Sequence, residues 1–251
     1  MSEMLFFLIA GLIQGLTEFL PVSSSAHLAF FEKIFSIEEE ARLSYAVFLH
    51  FGTFLALLLF FARRIERKVR ERDYSLLAKI LFSSLFLLFA LPLKNLSALS
   101  FTRMKLIGIF LILTGILILA TRFPKARKEE INYSAALLCG IFQLLAIFPG
   151  ISRSGVTIAI LLLLGIKEEV AFEFSFLLAI PAVGMANLSE AFHAFSHQGI
   201  SFSLPLLFGI FLSFLSGLLA LFFLRKVMRM KKFYLFAFYL FLFGLLLLWL
   251  R

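Results

Sequence analysis

The chain of 251 residues is 62% hydrophobic and 16% charged, with a mean hydropathy of +1.02. Soluble domains hold about 45–50% apolar residues, so a soluble protein is excluded and one integral membrane domain over residues 1–251 is expected. The formal charge of +9 matches the basic residues of cytoplasmic loops and contact with anionic membrane lipids, so no nucleic-acid partner is expected.

The opening segment, MSEMLFFLIAGLIQ, has no basic run and no small-residue cleavage site, and is not read as a cleaved signal peptide. Hydrophobic stretches follow near 4–30, 44–62, 75–93, 105–121, 134–165, 170–188, 203–224 and 232–250. All but two have about the length of one helical span, roughly 20 residues. The first and fifth are interrupted at their centres by proline, glycine and serine, at Pro21–Ser25 and Pro149–Gly155. Open backbone at membrane depth needs cover from protein or a water-filled cavity. Both stretches are therefore predicted to be re-entrant hairpins: a half-helix in, a polar turn, a half-helix out. Cys139, the one cysteine, lies in an apolar run. It reads as a small core residue and supports neither a disulfide nor a cysteine-rich metal site.

With each hairpin returning to its side of entry and the other six stretches crossing, the loops sort by charge. Loops at Arg63–Arg72, Arg122–Lys128, Lys167 and Arg225–Lys232 hold most of the basic residues. Lys33, Arg42, Lys94, Arg103, Lys105 and Arg251 fall on the other side. The richer set is expected in the cytoplasm, which puts both termini outside the plasma membrane. A faint internal repeat fits the same plan. When 1–121 is laid on 133–251, Gly11 meets Gly140, Gln14 meets Gln143, Phe19 meets Phe148, Ser23 meets Ser152 and Ser25 meets Ser154. Each half makes an odd number of crossings, so the second is inverted. Inverted repeats with broken helices place a binding site near the midplane. The expected fold is an all-α polytopic membrane protein with six transmembrane helices plus two re-entrant helical hairpins in inverted-topology repeats.

The polar residues of the two breaks are the candidate site. Gln14 and Glu18 are four apart and share a helix face. Ser23, Ser24 and Ser25 occupy the turn, where one of them caps the next half-helix, and His27 falls in that helix's first turn. Such a helix start attracts anions. In the second break, Pro149 and Gly150 stop the helix, Ser152, Arg153 and Ser154 follow, and Gly155 lets backbone approach a ligand. The guanidinium of Arg153 suits phosphate. If the tips meet, one cavity holds a phosphate clamp, an acid/base group and a candidate nucleophile, Ser24 or His27. Ionisable groups at membrane depth mark function by default, against the alternative of a structural Glu18–Arg153 ion pair. His50 reads equally as a core histidine or a substrate contact. Glu173 is placed beside Arg153 or along the cavity, as a substrate-side or supporting residue. His193 and His197, in a polar loop, read as solvated.

Three motifs, QGLTEFLPVSSSAHL at 14–28, PGISRSG at 149–155 and EFSFLLAIP at 173–181, resemble those of the undecaprenyl-diphosphatase family, membrane phosphatases linked to bacitracin resistance. The resemblance covers essentially the whole chain. It implies the fold above and hydrolysis of a polyprenyl diphosphate lipid to the monophosphate, with release of inorganic phosphate, at a site open to the outer face. It implies catalytic roles for Glu18, Ser24, His27 and Arg153, with Gln14, Ser23, Ser25, Gly150, Ser152, Ser154, Gly155 and Glu173 around the substrate. It also implies a divalent cation, Mg2+ or Ca2+, held in part by Glu18, and allows a homodimer. The family's first motif typically begins with two glutamates four apart; Gln14 stands at the first, which weakens any two-carboxylate metal site. The alternative reading is a polyprenyl-phosphate flippase using the same phosphate site. Either reading requires His27 and Arg153 to share one pocket.

Overall fold

Uninterrupted apolar runs satisfy their backbone groups internally, and in a lipid environment only a helix does so within one segment. The computed structural model describes the chain apart from residues 1–2, 36–38, 73, 102, 124–127, 198–202 and 251, and apart from the side chains of 39–47, 91, 94–95, 98–99 and 189–197. Expectations resting on Lys125, Arg127 and Arg251, and on the side chains of Arg42, Lys94, His193 and His197, lie outside the described residues. The protein is helical, and no strand occurs among the described residues. The helices in order are α1 Glu3–Phe19, α2 Ser24–Phe35, α3 Glu39–Arg70, α4 Tyr74–Ser84, α5 Lys94–Phe101 and α6 Met104–Ala120. They continue with α7 Tyr133–Leu145, α8 Arg153–Leu163, α9 Glu168–His197, α10 Leu204–Arg229 and α11 Phe236–Trp249. Two 3₁₀ segments, Leu85–Leu93 and Phe233–Leu235, interrupt the series.

Both proline–serine breaks fall where expected, between α1 and α2 and between α7 and α8. The third stretch departs from expectation. It does not run as one helix over 75–93: α4 stops at Ser84 and a 3₁₀ segment containing Pro92 carries the chain into α5. Pro92 lacks an N–H and its ring crowds the carbonyl one turn back, so an α-helix cannot continue through it without a kink. Three helical segments are long and apolar enough to cross a bilayer: Phe48–Arg70, Glu168–Leu188 and Leu204–Arg229. α6, with 17 residues, and α11, with 14, are shorter apolar helices. These features make the chain a membrane-embedded helical protein.

Small residues let the helices close on one another, the usual basis of helix association where lipid removes the hydrophobic drive. α1 lies along α10: a Cβ on Gly11 would meet the Gly209 carbonyl, and one on Gly15 would overlap the Ser216 hydroxyl and the Gly217 amide. Gly52 of α3 faces the Ile210 carbonyl of α10, and Gly108 of α6 faces the Gly244 carbonyl of α11. Ser213 adds a buried bond from α10 to the Leu49 carbonyl, 2.7 Å. The core within these pairs holds Phe19, Phe174, Phe176, Leu57, Ile107 and Leu178.

The basic ends gather at one end of the molecule. Arg64 pairs with Glu173, Arg229 with Glu169 at 2.7 Å, and Lys167 with Glu129. The hydrogen bond from Lys167 holds the Glu129 carboxyl below the usual glutamate range. Lys128 bridges to the α8–α9 turn through Gly165 and Lys167. At α1's start, Ser203 donates to Glu3 at 3.0 Å. Because Gly15 has no room for any side chain, Gly15→Leu should destabilise the protein by about 3 kcal/mol or more. Thermal unfolding in detergent measures this.

Candidate active site

α1 ends because Pro21 disfavours helical backbone in the residue before it. The chain turns at Leu20–Ser23, where the Val22 amide donates to the Leu20 carbonyl at 2.8 Å. Ser23 takes a left-handed backbone, φ +67°, uncommon without glycine. The turn aims two groups. Its carbonyl accepts from the His27 amide at 3.3 Å and lies 2.8 Å from His27 Nδ1. Its hydroxyl accepts from the Gly150 amide at 3.1 Å. The two breaks therefore touch tip to tip. On the opposite tip Gly150 has φ +100°, and a Cβ there would strike the Ile107 carbonyl.

Ser152 caps α8, its hydroxyl accepting from the Gly155 amide at 3.2 Å. That puts Arg153 in the first turn, aimed at the other hairpin. A guanidinium nitrogen donates to Glu18 Oε1 at 3.1 Å. Glu18 Oε2 accepts from Ser24 Oγ at 2.7 Å and from Gln14 Nε2 at 3.1 Å. Ser154 donates to the Leu20 carbonyl at 3.4 Å, and Ser25 Oγ lies 3.1 Å from Ser23 Oγ. The Glu18 side chain is 8% exposed and that of Arg153 15%. This is a buried pair, where removing one partner strands a charge. The starts of α2 and α8 both lie here, and the first amides of each helix have no partner within it, a combination suited to an anion.

His27 and Arg153 thus belong to one cluster, joined through Glu18, Ser24 and Ser23. Gln14 bonds Glu18 and His50. Ser23, expected among the serines that cap the next half-helix, instead bonds across to Gly150. Glu173 departs most from its expected place: it pairs with Arg64 of α3 at the basic end, not with Arg153.

Two further residues reach the cluster. His50 Nδ1 lies 2.9 Å from Gln14 Nε2 and 3.7 Å from Glu18 Oε2. An ionisable ring in the apolar run AVFLHFGTF was its only signal. Tyr239 of α11 lies 2.5 Å from His27 Nε2. The Ser23 carbonyl only accepts, so Nδ1 of His27 carries a hydrogen. In the neutral ring Nε2 then has the lone pair, and the Tyr239 hydroxyl is placed to donate to it.

No group of three histidine, cysteine or carboxylate side chains gathers among the described residues. One observation fits a cation nonetheless. Gln14 Oε1 is buried without a hydrogen-bond partner, next to the Glu18 carboxylate. Hard oxygen donors of this kind suit Mg2+ or Ca2+ when phosphate oxygens complete the shell.

The resemblance carried by the three motifs is matched by comparison with known proteins. The family described as bacitracin resistance protein BacA matches residues 7–246. An undecaprenyl-diphosphatase of Methanococcus maripaludis (strain C6) is 40% identical over 230 residues, covering 88% of this chain and 89% of that protein. One of Thermosipho africanus is 36% identical over 244 residues, covering 92% and 94%. One of Desulforapulum autotrophicum is 36% identical over 263 residues, covering 95% of each.

Glu18→Gln should destabilise the fold by about 3 kcal/mol, because the Arg153 guanidinium then has no counter-charge. Adding Arg153→Gln should restore part of the loss, since the two effects are coupled. Denaturation of the two single variants and the double variant in detergent measures the coupling.

Proposed function

The chain belongs to the bacitracin resistance protein BacA family, and we propose that its two touching breaks form the active site of an undecaprenyl-diphosphate phosphatase. The enzyme hydrolyses undecaprenyl diphosphate to undecaprenyl phosphate and inorganic phosphate, returning the lipid carrier to cell-wall synthesis. The names of the relatives support hydrolysis, and the flippase alternative finds no support in them.

The observation that carries the mechanism is the single carboxylate shared by both breaks, accepting from Ser24 on one oxygen and from Arg153 on the other. A diphosphate entering the cluster competes with Glu18 for the guanidinium. As Arg153 turns to the phosphate, Glu18 loses its counter-charge and becomes a better base for the Ser24 proton. Ser24 Oγ then attacks the terminal phosphorus, its proton passes to Glu18 Oε2, and the anhydride P–O bond breaks to release undecaprenyl phosphate. Water cleaves the phosphoserine, giving a proton to His27 Nε2, while Glu18 Oε2 returns its proton to the departing Ser24 Oγ, and inorganic phosphate leaves. Arg153 and the helix-start amides hold the equatorial oxygens, the charge neutralisation on which phosphoryl transfer depends. Glu18 and Gln14 Oε1, with phosphate oxygens, would hold a divalent cation, which supplies further neutralisation when bound. The lone-pair form of His27 favours a second reading, in which Nε2 itself attacks.

In the membrane, we place the other six stretches as crossings and the α1–α2 and α7–α8 pairs as re-entrant hairpins from opposite faces, in inverted repeats over 1–121 and 133–251. The convergence of the basic ends through Arg64, Lys167 and Arg229 supports a cytoplasmic assignment for that end. Both termini and the mouth of the site then face outside the plasma membrane.

Ser24→Ala and His27→Ala should each lower phosphate release about 10²-fold or more, as removal of an acid–base or nucleophilic group does. Arg153→Lys should cost about 10²-fold in kcat, because a point charge cannot reproduce the fork. Trapping the phosphoenzyme from labelled substrate identifies the nucleophile: an acid-stable adduct assigns Ser24, an acid-labile one His27.

A further inference from the structure

We propose that Tyr239 is a positioning residue for His27, holding the Nε2 lone pair in register with the site. The inference rests on the reading that Nε2 is a working atom of the phosphatase. Tyr239 stands in the run FAFYLFLFGLLLL, where it carries the only hydroxyl. That hydroxyl meets His27 Nε2 at 2.5 Å. The contact joins residues far apart in sequence, so nothing in the hairpin motifs provides it.

The ring of His27 is held on several sides. Ser23 fixes Nδ1 at 2.8 Å. Phe243 stacks on the imidazole with centroids 4.4 Å apart and planes at 29°. Tyr239 lies nearly parallel to it, 5.7 Å away with planes at 9°. Tyr239 and Phe243 are four apart on α11 and so share one face. Phe30, one turn on from His27, meets Phe243 edge to face at 5.5 Å. Apolar packing by Phe243 sets the plane of the imidazole but not which nitrogen bears hydrogen. The two hydrogen bonds do that: an acceptor at Nδ1 and a donor at Nε2 admit a single neutral tautomer. In turnover the lone pair passes from the phenol to the hydrolytic water while Phe243 and the Ser23 carbonyl keep the ring in place.

A phenylalanine at 239 keeps the ring and removes only the hydroxyl, so Tyr239→Phe separates positioning from packing. The full-length protein in detergent, with undecaprenyl diphosphate as substrate, should show kcat about tenfold lower in this variant with KM within about twofold, the worth of one hydrogen bond. The thermal transition should be unchanged. A second readout does not depend on turnover. With the four histidines labelled with 15N in the ring, the His27 signals, assigned by their loss in His27→Ala, should report an unprotonated Nε2 in the parent. In Tyr239→Phe they should move toward a mixture of tautomers. An undiminished or raised kcat, or His27 signals that do not move, overturns the proposal. Normal turnover by His27→Ala would instead overturn the underlying role of His27. Loss in His27→Ala beside an intact Tyr239→Phe removes only the role of the tyrosine.

Discussion

The arrangement turns on one carboxylate. Among the described residues Glu18 is the acidic group that both breaks share, and its two oxygens face in two directions, one to Ser24 and one to Arg153. Among apolar helices neither charge is stable alone, since desolvation of a lone ion costs far more than a helix gains by packing. The pair therefore ties the α1–α2 turn to the start of α8. The Ser23–Gly150 bond completes the tie by giving a broken helix a partner for an amide that would otherwise be orphaned.

That dependence explains the close packing around the breaks. Interrupted helices cannot brace themselves, and continuous ones must do it. α10 lies against α1 through Gly11, Gly15, Gly209 and Gly217, and α11 lies against α6 through Gly108 and Gly244. Backbones this close give way little, so the polar tips stay aligned although their own helices stop within a few residues. The frame also brings distant groups to the site. α3 presents His50 to Gln14, and α11 presents Tyr239 to His27.

The imidazole shows how neutral and charged interactions divide the work. Arg153 and Glu18 hold the charge balance of the resting site. His27 has a carbonyl at one nitrogen and a phenol at the other, so the plane and orientation of its ring are fixed by groups from the α1–α2 turn and from α11.

Much of this was legible in the chain, for a local reason. The helix breaks and the shared face of Gln14 and Glu18 depend on residues within about one turn, and the motifs state them directly. The basic clusters at Arg63–Arg72 and Arg225–Lys232 likewise belong to one end because alternate loops must. The third stretch departs from one helix because an apolar run alone does not distinguish α from 3₁₀ backbone: α4 stops at Ser84 and the chain continues as 3₁₀ through Pro92. The partners of individual polar groups were the rest. Glu173 sits next to apolar residues that suit the cavity, yet it meets Arg64 because α9 packs on α3. Ser23 has the composition of a cap, yet its left-handed backbone turns the hydroxyl to Gly150. His50 and Tyr239 carry no motif at all. Sequence determined which elements form and which residues are costly to bury, because both follow from short-range geometry and solvation. Only the tertiary structure decided which buried polar groups satisfy one another, because that depends on which helices become neighbours.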